Sequence, residues 1–315
     1  MKKINFAFSL MILLTMVACS GAGNTSEPRS SLMPLASSAP TVTKDSLAPT
    51  LAMSSSIPEV AKPVQTLAPP DETNVPLPTL TRLIKGWIKV GPGTILCPIL
   101  LYHRIAFSAS NDPYYVTPEE FRTQMEALKN WGYTAIPITT LVKAIKLGAD
   151  LPERPVVITF DDGDETVYST AYPILQELGF EGVIYLVVKY VGADGYMNVD
   201  QIKELAASGW EVGSHSLTHT DLTSSTNVED EIVYSRLRLE QMLGLPVETF
   251  AYPFGKKTDN MYSTVMKNYQ AGLGLGVSFA QRREDVTFLW RRPVYYGTDL
   301  QTFGSYLPWS APPEP

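Results

Sequence analysis

Two adjacent carboxylates, Asp161 and Asp162, sit where the apolar run Val156-Val157-Ile158-Thr159-Phe160 gives way to Gly163. A buried strand needs no carboxylate at its end for stability. In that place one carboxylate can hold a metal ion while its neighbour moves a proton. Asp-Asp-Gly is also an ordinary turn sequence, so the pair acquires meaning only from its company. The chain has three histidines, His103, His215 and His219. The spacing of His215 and His219 brings two imidazoles to the same side of a helical turn, close enough for one cation. H-x-x-x-H by itself fits a surface turn equally well. Joined by one carboxylate, it becomes a His, His, Asp set suited to Zn²⁺ or a similar divalent ion with open positions.

The elements that must carry these residues alternate. Ile95 to Tyr102 reads as a strand. Thr117-Pro118-Glu119-Glu120 opens a helix, with Thr117 as N-cap and Glu120 closing a capping box. Thr134 to Ile138 reads as a short strand and Leu141 to Leu147 as a helix stopped by Gly148. Strands follow at Val156 to Phe160, Gly182 to Val188, Trp210 to Ser214, Thr249 to Tyr252 and Gly274 to Ser278. Helices fall between them, among them Val167 to Leu178 and Asn227 to Leu243. Such alternation predicts an α/β domain with a largely parallel sheet, and the number of strands favours a barrel-like closure. His103, Asp161, Asp162, His215, His219 and Phe254 each follow the C-terminal end of a strand, where sites gather in barrels and open α/β sheets.

The 315 residues are 44% hydrophobic and 18% charged, enough for a proper core, and the net charge of -7 gives no support to a nucleic-acid partner. Lys2-Lys3 followed by apolar Phe6 to Val17 has the form of an export signal. Val17-Ala18-Cys19-Ser20 resembles a bacterial lipobox, which implies a mature chain beginning at lipidated Cys19. A plain signal peptide cut near Ala18 is the other reading. Residues 1–18 are thus expected as a lipoprotein signal peptide and 19–80, rich in Ser, Thr, Pro and Ala, as a disordered tether. Residues 81–315 are left for the folded domain. The expected location is the cell membrane or envelope, held through the lipid at Cys19. Cys97 is expected as an inert core residue.

Thr159-Phe160-Asp161-Asp162, His215-Ser216-x-x-His219 and Phe250-Ala251-Tyr252-Pro253-Phe254-Gly255 resemble, in that order, the first three motifs of the polysaccharide deacetylases with a NodB homology domain, carbohydrate esterase family 4. Pro98-Ile99-Leu100-Leu101-Tyr102-His103 and Tyr115 to Phe121 resemble the branch that acts on poly-β-1,6-N-acetylglucosamine. The resemblance covers about Ile95 to Leu300. It implies a deformed (β/α) barrel and metal-dependent removal of N-acetyl groups from a polysaccharide such as poly-N-acetylglucosamine, peptidoglycan or a chitin-like polymer. By position, Asp161 matches the general base, and Asp162, His215 and His219 match the ligands of one divalent metal. Zn²⁺ is the first expectation, with Co²⁺, Ni²⁺ or Fe²⁺ also compatible. His103 matches the general acid in the permuted order of that branch, and the backbone N–H of Phe254 matches an oxyanion donor.

One departure stands out. Many relatives carry an arginine in the third motif that orients the base, and this chain has Ala251 there. Arg291 or Arg292 is the candidate replacement, against a reading of both as solvated surface residues. Tyr252 and Trp290 are expected at the sugar site because they flank candidate residues; Tyr114, Tyr115, Tyr196, Tyr295 and Tyr296 lie near expected loop ends. Asp164, Glu165 and Asp285 read as surface charges. Two other functions share these features: an O-acetyl esterase on xylan-type glycan, and a glycan-binding envelope protein with a relict site.

Overall fold

The computed structural model describes residues 86–313 other than 109 and 111. The expected signal peptide, the tether, Cys19 and the first residues assigned to the domain lie outside the described residues. Seven parallel strands close a barrel: β1 (Ile99–Tyr102), β2 (Pro155–Phe160), β3 (Val183–Leu186), β4 (Glu211–Ser214), β5 (Thr249–Ala251), β6 (Ala271–Leu275) and β7 (Leu289–Pro293). Each strand pairs with the next, and β7 returns to β1 through Arg292 opposite Leu100. The short strand Thr134–Ala135 extends the lower edge of β2.

Helices cover the outside: α1 (Pro118–Asn130), α2 (Ile138–Leu147), α3 (Tyr172–Leu178), α4 (Val199–Ala207), α5 (Ser235–Leu243), α6 (Asp259–Asn268) and α7 (Leu300–Gly304). Thr117 caps α1 as its sequence predicts. The hydroxyl accepts from the Glu120 N–H, and Glu120 accepts from the Thr117 N–H at 3.0 Å. Gly179 ends α3 and Gly244 ends α5, both in the left-handed conformation that glycine adopts without strain. Cys97 is fully buried, and burial pushes its thiol well above the usual range. That fits an inert core residue.

A strand's period of two sorts the barrel into an inside and an outside. Val157, Ile99, Val183, Tyr185, Ala251, Leu273 and Leu289 pack together in the interior. Their sequence neighbours Val156, Ile158, Phe160, Leu100, Tyr102, Ile184 and Phe250 pack against the helices. The expected strand at Gly274 to Ser278 lies earlier, at Ala271–Leu275. Gly272 and Gly274 weaken its strand signature, yet a side chain there would collide with the Thr287 carbonyl or the Phe288 ring. The expected single strand from Ile95 divides at Cys97-Pro98 into Ile95–Leu96 and β1.

Candidate active site

The inward parity continues past the strand ends. Asp161 extends the inner row of β2, His215 that of β4 and His103 that of β1, while Arg291 lies in the inner row of β7. All four line one cavity of about 310 Å³ at the C-terminal ends of the strands, with Asp162, His219, Phe254 and Tyr114. The four non-glycine residues with positive φ among the described residues are Asp162, Ser216, His219 and Phe254. Three line this cavity and Ser216 lies between the two histidines. Backbone strain of this kind persists only where surrounding structure holds it, and it collects at functional sites.

Asp161 is 2% exposed and makes a bidentate pair with Arg291, at 2.6 Å to Oδ1 and 2.8 Å to Oδ2. Burial alone would raise the Asp161 carboxyl. The Arg291 guanidinium, with help from His215, outweighs it and holds the carboxyl at about 2, so Asp161 is ionised. Arg291 is itself 1% exposed and lies over the Tyr185 ring, 5.4 Å to its centre. A guanidinium from β7 thus stands beside the carboxylate of β2, its Nε donating to the Gly274 carbonyl at 3.3 Å. Arg292 points the other way, 4.1 Å over the Tyr306 ring. The sequence leaves the two arginines equivalent; strand parity separates them.

The donor set fits a divalent ion. One ligand atom each of Asp162, His215 and His219 lies within 4.8 Å of the others. His219 Nε2 is 3.4 Å and His215 Nε2 3.8 Å from Asp162 Oδ1. That oxygen is buried and has no hydrogen-bond partner, an arrangement that costs free energy unless a cation faces it. His215 Nδ1 lies 2.8 Å from the Ala251 carbonyl. Donation there leaves Nε2 with its lone pair toward the cavity.

Second-layer contacts hold the histidine loop. Glu231, buried on the turn preceding α5, accepts from the N–H of Leu217 at 3.0 Å and from the N–H and hydroxyl of Thr218 at 2.9 and 2.6 Å. Ser216 Oγ accepts from the His219 N–H at 2.9 Å. Sequence reasoning missed Glu231, because no motif marks a carboxylate one helix away from the loop it supports. It also misread Asp164 as a surface charge. Asp164 is buried, pairs with Arg104 at 2.9 Å and accepts from the Thr166 N–H and hydroxyl, tying the Asp161-Asp162 loop to β1.

His103 faces the cavity with its ring 4.7 Å from that of Tyr114. Burial lowers its pKa, and the carboxylates of Asp161 and Asp162 act against that effect. Phe254 is half exposed, its ring 4.8 Å from that of His219, with its backbone at φ 59 beside the cavity. Tyr252 borders the cavity, but its ring packs outward against Phe250 and Phe288. Trp290 is not part of the cavity wall: it falls on the outer parity of β7, beneath Gly276 and against Phe288. Of the other tyrosines, Tyr114 and Tyr295 line the cavity.

A family model described as polysaccharide deacetylase matches residues 148–273, which include Asp161, Asp162, His215, His219 and Phe254. The poly-beta-1,6-N-acetyl-D-glucosamine N-deacetylase of Staphylococcus aureus (strain MRSA252) is 27% identical over 212 residues, 58% of this chain and 72% of its own. The crystal structure of BC0361, a polysaccharide deacetylase from Bacillus cereus, superposes with a TM-score of 0.62 at 29% identity, over 68% of this chain and 69% of that one. IcaB from Ammonifex degensii superposes at 0.56 with 25% identity, over 69% of this chain and 98% of its own.

Proposed function

We propose, for a chain that carries a polysaccharide deacetylase domain of the NodB type, carbohydrate esterase family 4, a metal-dependent hydrolysis of N-acetyl groups on a polymer of N-acetylglucosamine. The observation that carries it is the pairing of an ionised, arginine-clamped carboxylate with an adjacent buried set of one carboxylate and two imidazoles.

Asp162, His215 and His219 would hold the ion, Zn²⁺ first among candidates. When bound, it would supply Lewis acidity toward an acyl oxygen and lower the pKa of water. The chain's own residues divide the remaining work. Asp161 Oδ2, held by Arg291, takes the proton from the attacking water. The N–H of Phe254 donates to the oxyanion as the acetyl carbon becomes tetrahedral. His103 gives a proton to the nitrogen as its bond to the acetyl carbon breaks, since an amide anion is too basic to depart. The products are acetate and a free amine on the sugar. Tyr114 and Tyr295 offer flat apolar walls to pyranose rings.

The likeness to the Staphylococcus aureus N-deacetylase supports the amide over an ester substrate and the β-1,6 polymer over the β-1,4. The N-terminal signal and Cys19 support export and a lipid anchor at the envelope. Acetate release from β-1,6 and β-1,4 N-acetylglucosamine oligomers and from acetylated xylan is the test. Release from the β-1,6 oligomer above the others is expected. Release from xylan alone would make the chain an O-acetyl esterase, and glycan binding without release would make it a relict. Cys19→Ala should abolish incorporation of labelled fatty acid; undiminished labelling would reject the anchor.

A further inference from the structure

A second depression, of about 390 Å³, begins where the catalytic cavity ends. Leu275, Pro293 and Tyr295 line both, so the wall that closes one opens the other. Its size is within the range of sites that take small ligands. Its far side is built by Val277, Arg292 and Tyr306. Tyr295 is 39% exposed and offers a ring to it. The loop at Gly276 and Val277 is held up from below by Trp290, whose ring would overlap any side chain placed on Gly276. Arg292 is fixed over the Tyr306 ring at 4.1 Å and, among the described residues, has no carboxylate partner. Adjacent positions on β7 therefore serve adjacent cavities: Arg291 faces Asp161, and Arg292 faces the depression.

We propose that this depression binds the sugar unit next to the one being deacetylated, and that Arg292 restricts it to units carrying no positive charge. The proposal rests on the polysaccharide reading above. A polymer reaching Asp161 at one unit must lay a neighbouring unit somewhere along the rim, and the ring of Tyr295 leads from one cavity to the other. An N-acetylated neighbour presents a neutral amide to the guanidinium. A neighbour already deacetylated presents an ammonium, and two like charges at short range repel. The reaction's own product would then be excluded from this side. Deacetylation would leave spaced amines along the polymer and not contiguous blocks.

The test uses the full chain and β-1,6-linked trimers of N-acetylglucosamine, either fully acetylated or carrying one free amine on the first or the last unit. Acetate release from the central unit is measured for each. The wild type is expected to favour the acetylated trimer over one of the two amine-bearing trimers by about 5-fold in kcat/KM. Arg292→Glu should close or invert that difference, and added salt should shrink it in the wild type. Arg238→Glu on the exposed face of α5 makes the same change in net charge and should preserve the difference. Equal rates on all trimers, or a difference that survives Arg292→Glu, would overturn the proposal. If no trimer releases acetate, the deacetylase reading fails on its own. Calorimetric binding of the same trimers then decides the depression separately, with the same preference and the same loss in Arg292→Glu expected.

Discussion

The arginine that clamps Asp161 is the residue whose assignment depends most on structure. Leu289-Trp290-Arg291-Arg292-Pro293 offers two arginines and one tryptophan as candidates. Only the parity of β7 shows that Arg291 enters the barrel while Trp290 and Arg292 leave it. Arg291→Met would strand the Asp161 carboxylate in a buried place without its partner. Losing one member of such a pair costs about 3–5 kcal/mol, read as a lower denaturant midpoint. Asp161→Asn in the same chain should recover part of that loss, and an unchanged midpoint in the single variant would refute the clamp. The two roles given to imidazole also separate. His103→Ala should retain bound metal and lose on the order of 10²- to 10⁴-fold in kcat. His215→Ala should lose both metal and rate. A His103→Ala enzyme near full activity would assign the proton to another group.

Two of the site loops are followed by a helix that begins with a wide turn. Val167–Ala171 precedes α3 after the Asp161-Asp162 loop, and Asp230–Tyr234 precedes α5 after the histidine loop. Such turns add a residue to the helix and re-aim the side chains on it, and they recur at functional sites. The second carries Glu231, whose carboxylate holds Leu217 and Thr218 between His215 and His219. Glu231→Ala should weaken metal affinity by about 10- to 100-fold while leaving the fold intact, measured by competition with a chelator of known affinity. Affinity equal to the wild type would reduce Glu231 to a plain structural contact. The motif loops were legible in the sequence because their residue types are chemically unusual at strand ends. The wide turns were not, since a helical apolar stripe such as Val167, Ala171 and Leu175 fits either spacing. The strand at Ala271–Leu275 was placed too late for a similar reason: its glycines serve close packing and give no β-branched signal.

At the scale of the molecule, the alternation of strands and helices was enough to expect a closed parallel barrel. Closure itself depends on β7 pairing with β1 across nearly 200 residues of chain, which no local pattern encodes. The barrel is polarised. Its C-terminal end holds the site, and its opposite end holds Glu211, which accepts from the Thr139 N–H and hydroxyl at 3.0 and 2.9 Å. One oxygen of Glu211 is buried without a partner, and burial pushes the carboxyl up to about 7. A raised carboxyl favours the folded state while it is protonated. That contribution is fully present below the ordinary carboxylate value near 4.5 and is lost as pH rises through about 7. Melting temperature should therefore fall between those limits in the wild type and vary less in Glu211→Gln. Identical pH profiles would show that folding does not raise the Glu211 carboxyl.

The central claim joins the metal set to the hydrolysis of an amide. We would measure acetate release from the β-1,6 N-acetylglucosamine oligomer, with metal content followed in the same samples, as purified, after exhaustive chelation, and with Zn²⁺ restored. Release that disappears with the metal and returns with it is expected. Undiminished release from metal-free protein, or none from protein with metal bound, would contradict the claim.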